Sequence, residues 1–173
     1  MLVTDRGTPR IPPTSSSAAA NVYKRKEKIY EALSAIADNR VNISDGSASA
    51  KSSDYKKEYK ITWKEDVYSS NDNVSYWGGY AGYPIIAVLM LQGKLPMPDA
   101  DSINLLKGIN WKELNTKHKN KYNKAVAEII ETLEREGKNI NALNSAVKNI
   151  FEAIKTLDIS TKRSSIRPPK SNQ

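Results

Sequence analysis

The sequence contains no cysteine and only one histidine, His118, among its 173 residues. Without cysteine the chain forms neither disulfide bonds nor thiolate metal sites, which fits a reducing compartment. We therefore expect a cytoplasmic protein with no metal and no cofactor. A single histidine without a neighbouring nucleophile or paired carboxylate is more typical of a surface residue than of a general base. No other group of residues assembles a catalytic site, so we expect a protein that is not an enzyme.

Long apolar segments are also missing. The longest apolar run, Tyr83 to Leu91, is far shorter than the roughly 20 residues that cross a bilayer, and the N-terminal residues lack the apolar core of a signal peptide. We therefore expect no membrane association. Hydrophobic residues make up 39% of the chain, which is enough for one core. These features predict a disordered Pro/Ser-rich tail over residues 1–20, one globular domain over 21–158 and a basic tail over 159–173.

The net charge of +8 is concentrated at the two ends of the chain. Residues 1–28 contain six basic and two acidic side chains, residues 160–173 contain four basic and no acidic ones, and residues 29–159 contain 17 of each. A neutral body with basic ends is typical of a protein that contacts a polyanion. The predicted phosphate contacts in these ends are Arg6, Arg10, Lys24, Arg25, Lys26, Lys162, Arg163, Arg167 and Lys170.

Apolar residues at helical spacing predict the helices. A first helix follows an N-cap at Asn21 and ends near Asn39, and a short helix covers residues 84–92. Two further stripes, over 122–133 and 140–157, are separated by a glycine. These last two helices are predicted to pack as an antiparallel hairpin.

The middle of the chain has the pattern of a small antiparallel sheet. Asp45-Gly46 predicts a hairpin turn, and the alternation from Tyr59 to Trp63 predicts a half-buried strand. Asn71-Asp72-Asn73 predicts a second turn, followed by a strand over Val74 to Trp77. The predicted fold class is therefore α+β, with an N-terminal helix, this sheet, the short helix and the C-terminal helical hairpin.

Two polar groups are predicted to cap helices. Asp99 and Asp101 precede a short apolar segment and fit N-capping better than cation binding. Asn110, with Glu113 three residues later, has the spacing of a capping box.

The segment from Asp66 to Gln92 has the sequence DVYSSNDNVSYWGGYAGYPIIAVLMLQ. Over residues 48–92 the order of strand, turn, glycine-rich loop and helix resembles the SWIM-type zinc finger, in which a CxC pair and a CxH pair bind one zinc. Tyr68-Ser69-Ser70 and Gly82-Tyr83-Pro84 stand at those places, so all four ligands are missing. The resemblance implies that apolar packing of Tyr68, Tyr76, Trp77 and Tyr83 replaces the metal. The segment also resembles uncharacterised archaeal proteins.

Two groups of residues each have two interpretations. The aromatic residues Tyr76, Trp77, Tyr80 and Tyr83 lie among glycines, which is typical either of a stacking platform for unpaired bases or, more often, of a packed strand-to-helix corner. The second group is a lysine-rich run that is either a phosphate-binding surface or a solvated face. Its candidate phosphate contacts are Lys117, Lys119 and Lys121.

The leading hypothesis is a non-enzymatic nucleic-acid-associated protein, a subunit of a larger nucleoprotein assembly whose basic tails contact phosphates. Sequence preference should be weak, and the pattern does not distinguish RNA from DNA. The alternative is a protein–protein adaptor, in which the helical hairpin or the aromatic loop docks onto another subunit.

Overall fold

The computed structural model describes residues 16–170, with side chains described from Lys26 onward. The elements in chain order are α1 (Ser16–Ala37), β1 (Val41–Ser44), β2 (Ser47–Lys51), β3 (Glu58–Lys64), β4 (Val67–Ser70), α2 (Asn73–Gly78), α3 (Tyr83–Leu91), α4 (Ala100–Asn104), α5 (Trp111–Lys117), α6 (Tyr122–Arg135), α7 (Asn141–Thr156) and β5 (Ser160–Thr161). Helices and a five-stranded, mostly antiparallel sheet confirm the α+β class. No helix in this part of the chain is long and apolar enough to cross a membrane.

Helix α3 lies at the centre of the hydrophobic core. It is apolar on every side, and every residue from Pro84 to Met90 is buried, as expected for a helix surrounded by other elements. Its main helical neighbour is α1, which buries Ile29 and Leu33 and also packs against α7. Helix α7 contributes Leu143 and Ile150 to the same cluster. Helices α6 and α7 each pack against α1 rather than mainly against each other, so the predicted antiparallel hairpin of these two helices was wrong. The sheet covers another side of α3.

The sheet has the strand order β1-β2-β3-β4-β5. Its first four strands are antiparallel neighbours, and the β1–β2 turn has Gly46 at a φ of 71°, which confirms the predicted hairpin. On β3, Tyr59 and Ile61 are buried while Lys60 and Thr62 are exposed. The alternation that predicted a half-buried strand is therefore confirmed.

The predicted second turn and the strand after it were wrong. Residues 73–78 form helix α2 instead, because Asp72 acts as its N-cap and accepts a hydrogen bond from the Ser75 backbone nitrogen at 3.0 Å. The Ser70 hydroxyl donates to the other Asp72 oxygen at 2.6 Å, and the Gly82 nitrogen donates to the Ser75 hydroxyl at 3.0 Å. This buried polar network joins β4, α2 and the start of α3.

The ends of the domain differ from the prediction. Helix α1 begins at Ser16 rather than after Asn21, so residues 16–20, predicted as part of a disordered tail, are helical. The rest of that tail, residues 1–15, lies outside the described residues. At the other end, β5 lies within the predicted basic tail and pairs in parallel with β4. The folded domain therefore extends beyond residue 158.

Both predicted caps are confirmed. The Asn110 side chain accepts from the Glu113 nitrogen at 3.2 Å and begins α5. The Asp99 side chain accepts from the Ser102 nitrogen and hydroxyl, both at 2.8 Å, and begins α4. These hydrogen bonds hold the pKa of Asp99 below its usual value.

Candidate functional site

The aromatic residues of the glycine-rich segment separate into buried and exposed ones. Tyr68 is fully buried, with its hydroxyl donating to Gln92 Oε1 at 2.7 Å, and Tyr80 is also buried. Tyr83 is partly buried. Trp77, in contrast, is 65% exposed at the end of α2. The core interpretation is therefore correct for Tyr80 and wrong for Trp77, because the predicted strand over Val74 to Trp77 is a short helix that leaves Trp77 exposed.

Trp77 belongs to a small surface cluster, here called the α2 aromatic surface, that consists of Tyr76, Trp77 and Arg163. The two rings meet edge to face, with centroids 4.7 Å apart. The guanidinium carbon of Arg163 lies 4.6 Å from the Tyr76 ring centroid and 5.1 Å from that of Trp77. Arg163 Nε also donates to the Tyr76 carbonyl oxygen at 3.3 Å. A cation from the C-terminal residues thus contacts both rings at once.

Residues 160–170, here called the C-terminal basic segment, are held against the sheet. The Thr161 hydroxyl donates to the Gly79 carbonyl oxygen at 3.1 Å, and Asn71 Nδ2 donates to the Arg167 carbonyl oxygen at 3.2 Å. The side chains of Lys162, Arg167 and Lys170 are exposed. The backbone also pairs with β4, where the Ser160 and Lys162 nitrogens donate to the Asp66 and Tyr68 carbonyl oxygens. The stretch of chain that carries Lys162 and Arg167 is therefore held beside the sheet.

The other predicted phosphate contacts are scattered. Arg6 and Arg10 lie outside the described residues. Lys24 and Arg25 belong to α1, but their side chains are not among those described. Lys26, also on α1, is exposed. Lys119 and Lys121 are exposed between α5 and α6.

Lys117 and His118 both contact one carboxylate on α6. Lys117 Nζ lies 2.7 Å from Glu128 Oε1, and His118 Nε2 lies 2.6 Å from Glu128 Oε2. The hydrogen bonds from Lys117 and His118 hold the pKa of Glu128 below its usual value. His118 is therefore a partly buried residue paired with a carboxylate, not a solvated surface residue.

A second feature, here called the polar pocket, lies between α1, the sheet, the start of α2 and α5. Its cavity volume is about 140 Å³. The walls include four aromatic side chains, from Tyr59, Tyr83, Trp111 and Tyr122. The Tyr83 hydroxyl donates to the Lys51 carbonyl oxygen at 3.0 Å, and its ring meets that of Tyr59 edge to face.

One wall of the polar pocket carries a buried ion pair. Lys28 Nζ lies 2.8 Å from Glu31 Oε2, and the two side chains are only 6% and 7% exposed. The same ammonium lies 3.8 Å from the Tyr122 ring centroid, and Asn115 Nδ2 donates to Glu31 Oε1 at 2.6 Å. Burial alone would lower the pKa of Lys28, but the Glu31 carboxylate raises it above the usual value. Lys28 is therefore held as a cation.

Arg40, Asp72 and Tyr59 also line the polar pocket. Arg40 is buried, with its Nε 3.3 Å from Asp38 Oδ2 and its Nη1 donating to the Lys51 carbonyl oxygen at 2.8 Å. Burial, with a smaller contribution from the Asp72 carboxylate, raises the pKa of Tyr59 to about 12. Its hydroxyl therefore stays protonated and remains a hydrogen-bond donor.

Four buried side-chain polar atoms lack a hydrogen-bond partner among the side chains described, those of residues 26–170, and three of them belong to residues that line this pocket. They are Arg40 Nη2, Trp111 Nε1 and Asn115 Oδ1. Sequence reasoning missed these residues. The Asn115–Glu31 contact spans 84 positions, and no local pattern brings such residues together.

The positions compared with zinc ligands fall on two elements. Tyr68, Ser69 and Ser70 lie on β4, and Gly82, Tyr83 and Pro84 lie at the start of α3. Within the described range, no three His, Asp or Glu side chains are close enough to hold a metal ion.

Residues 22–160 match the model of the family described as Uncharacterised conserved protein UCP014422. The chain belongs to that family. The matched range includes α2 and all residues named above for the polar pocket, and it ends before Arg163. No curated protein and no solved structure matches the chain.

Proposed function

We propose that this protein is a non-enzymatic nucleic-acid-associated protein that binds single-stranded RNA or DNA as a subunit of a nucleoprotein assembly. The observation that carries the proposal is the α2 aromatic surface, where the exposed Trp77 and the half-buried Tyr76 lie against Arg163. An exposed aromatic face stacks on unpaired bases of any sequence. Beside it, the C-terminal basic segment supplies cations for the phosphates.

The geometry of Arg163 supports a combined contact. Its Nε is occupied by the Tyr76 carbonyl oxygen, and no described residue accepts a hydrogen bond from its two terminal nitrogens. A guanidinium that already rests on two rings loses little conformational freedom when it binds a phosphate. Arg163 therefore connects the stacking side chains to the phosphate-binding segment.

The charge of the C-terminal basic segment supports the same function. Residues 160–173 contain four basic and no acidic side chains. Lys162, Arg163, Arg167 and Lys170 are all exposed on a backbone that is anchored to the sheet. Cations on an anchored backbone bind a polyanion with a smaller entropy loss than the same cations on a free tail.

The proposal is tested by fluorescence anisotropy with short single-stranded RNA and DNA over a range of salt concentrations. Trp77→Ala should weaken binding by about 1–3 kcal/mol, while Trp77→Phe should retain most of the affinity because it keeps an aromatic face. Arg163→Gln should lower the slope of log affinity against log salt by about 0.7–0.9. Lys148→Gln removes the same charge from an exposed position on α7 and serves as the matched control.

A protein–protein adaptor is the second candidate, because exposed tryptophan is also typical of binding hot spots. Affinity purification at native salt, with and without nuclease, separates the two. Loss of partners after nuclease treatment supports nucleic-acid association. If the partners stay bound and the protein shows no salt-dependent binding to RNA or DNA, the proposed nucleic-acid association is wrong and the adaptor function takes its place.

A further inference from the structure

Strand β1 forms one edge of the sheet. It pairs with β2 on one side, and no other strand of the described chain pairs with its second side. Beside it, the Lys51 nitrogen donates to the Arg40 carbonyl oxygen at 2.9 Å, and hydrogen-bonded positions alternate along an antiparallel pair. The backbone N–H and C=O groups of Val41 and Ile43 therefore point away from β2.

The free edge of β1 lacks the features that normally protect an edge strand. Such edges are typically blunted by lysine, proline, a bulge or a covering element. Residues 41–44 contain no charge and no proline, and their pairing with β2 is continuous. No described residue outside the sheet forms a backbone hydrogen bond with them, and Ile43 is 41% exposed. This edge therefore presents free hydrogen-bonding groups beside an exposed apolar side chain.

The free groups are arranged so that a second copy of β1 matches them. When two copies run antiparallel with Asn42 opposite Asn42, Val41 of each copy lies opposite Ile43 of the other. Both residues of such a pair donate an N–H and accept through a C=O, so each pair forms two hydrogen bonds. The same patch is used on both copies, as in a two-fold dimer. No other sequence is needed to pair every free group of the strand.

The side chains along the edge are also compatible with this pairing. Val41 and Ile43 lie opposite the buried Ala50 and Ala48, on the core side of the sheet, and Val41 already packs against the core. In the paired arrangement Ile43 of one copy contacts Val41 of the other and loses exposure to water. Because the strand carries no charge, there is no like-charge repulsion across the edge.

We propose that β1 is a self-association surface through which two copies of the protein join their five-stranded sheets into one continuous sheet. A four-residue strand is small beside the 20–30 residues that each side of a stable interface contributes, so the dimer is weak, with a dissociation constant of about 10 µM to 1 mM. β1 lies at the opposite edge of the sheet from β5, which Arg163 follows. The proposal therefore does not depend on the proposed function.

Sedimentation equilibrium of the full chain without nucleic acid, from about 5 µM to about 1 mM, tests the association. The dimer fraction should rise with concentration and with added salt, because the net charge of +8 repels a second copy. Binding to nucleic acid has the opposite salt dependence. Amide hydrogen exchange of Val41 and Ile43 should slow at the highest concentration, because both N–H groups become hydrogen-bonded.

Two variants of Ile43 locate the association at the β1 edge. Ile43→Pro removes a donor that points away from β2, so the pairing of β1 with β2 is kept. It should raise the dissociation constant about tenfold or more, because each copy loses one hydrogen bond. Ile43→Lys leaves the backbone intact, adds a cation at the edge and keeps the test valid if the proline variant does not fold. Ser145→Lys adds the same charge at an exposed position on α7 and should dimerise normally.

Two results would overturn the proposal. The first is a protein that stays monomeric at about 1 mM. The second is a dimer in which the Val41 and Ile43 amides exchange as fast as in the monomer and which both Ile43 variants form normally. In that case the copies associate through another surface.

Discussion

The buried pair of Lys28 and Glu31 offers a sharp test of the energetics of this fold. Lys28→Met keeps the apolar stem but leaves the Glu31 carboxylate without its cation at a site where both side chains are at least nine-tenths buried. Removing one partner of a buried ion pair typically costs about 3–5 kcal/mol. The Asn115 hydrogen bond to Glu31 remains, which places the expected loss near the lower end.

The matching variants complete a double-mutant cycle. Glu31→Gln retains an oxygen that accepts from Asn115, but it leaves the Lys28 ammonium without an anion. The double variant Lys28→Met/Glu31→Gln contains no charge at either position, so it should be less destabilised than the sum of the two single variants. We expect a coupling energy of about 1–3 kcal/mol, within the range for contacting residues.

Urea unfolding at neutral pH, followed by circular dichroism, measures these free energies by linear extrapolation. The slopes of the four proteins should agree, which shows that the variants change stability rather than the unfolded state. If Lys28→Met costs less than about 1 kcal/mol and the coupling is negligible, the pair is well hydrated through the pocket. The description of the Lys28 and Glu31 side chains as shielded from water would then be wrong.

Three further predictions use simpler measurements. Trp77→Ala should change the free energy of unfolding by less than about 0.5 kcal/mol, because that side chain is largely exposed. A loss of several kcal/mol would instead show that Trp77 is packed in the core. Gly82→Ala should destabilise the domain by about 1–3 kcal/mol in urea unfolding, because a Cβ there collides with the Asp72 carboxylate; an unchanged midpoint would show that Asp72 moves freely. Because the pKa of Tyr59 rises from 10.0 to about 12 on folding, its stabilisation is complete below pH 10 and is lost as the pH rises towards 12. Tyrosinate absorbance should therefore rise together with unfolding in that range, and Tyr59→Phe should remove part of this dependence.

The local elements were largely predictable because they depend on neighbours in the sequence. The stripes of α6 and α7, the alternation of β3 and the caps at Asp99 and Asn110 all arise from contacts within a few residues. The turn predicted at Asn71-Asp72-Asn73 failed because an aspartate in a polar segment fits a hairpin turn and a helix N-cap equally well. The buried hydrogen bonds from Ser70 and Ser75 to Asp72 decide for the helix.

By itself the sequence determined the α+β class, the basic ends and the residues available for function. The tertiary structure decided which of these residues meet. Arg163 reaches Tyr76 and Trp77, 87 positions away from Tyr76, because β5 pairs with β4. The polar pocket brings residues of α1 and α5 together, and there Asn115 donates a hydrogen bond to Glu31. Such contacts depend on the packing of whole elements around α3, and side chains so far apart in the chain leave no periodic pattern in the sequence.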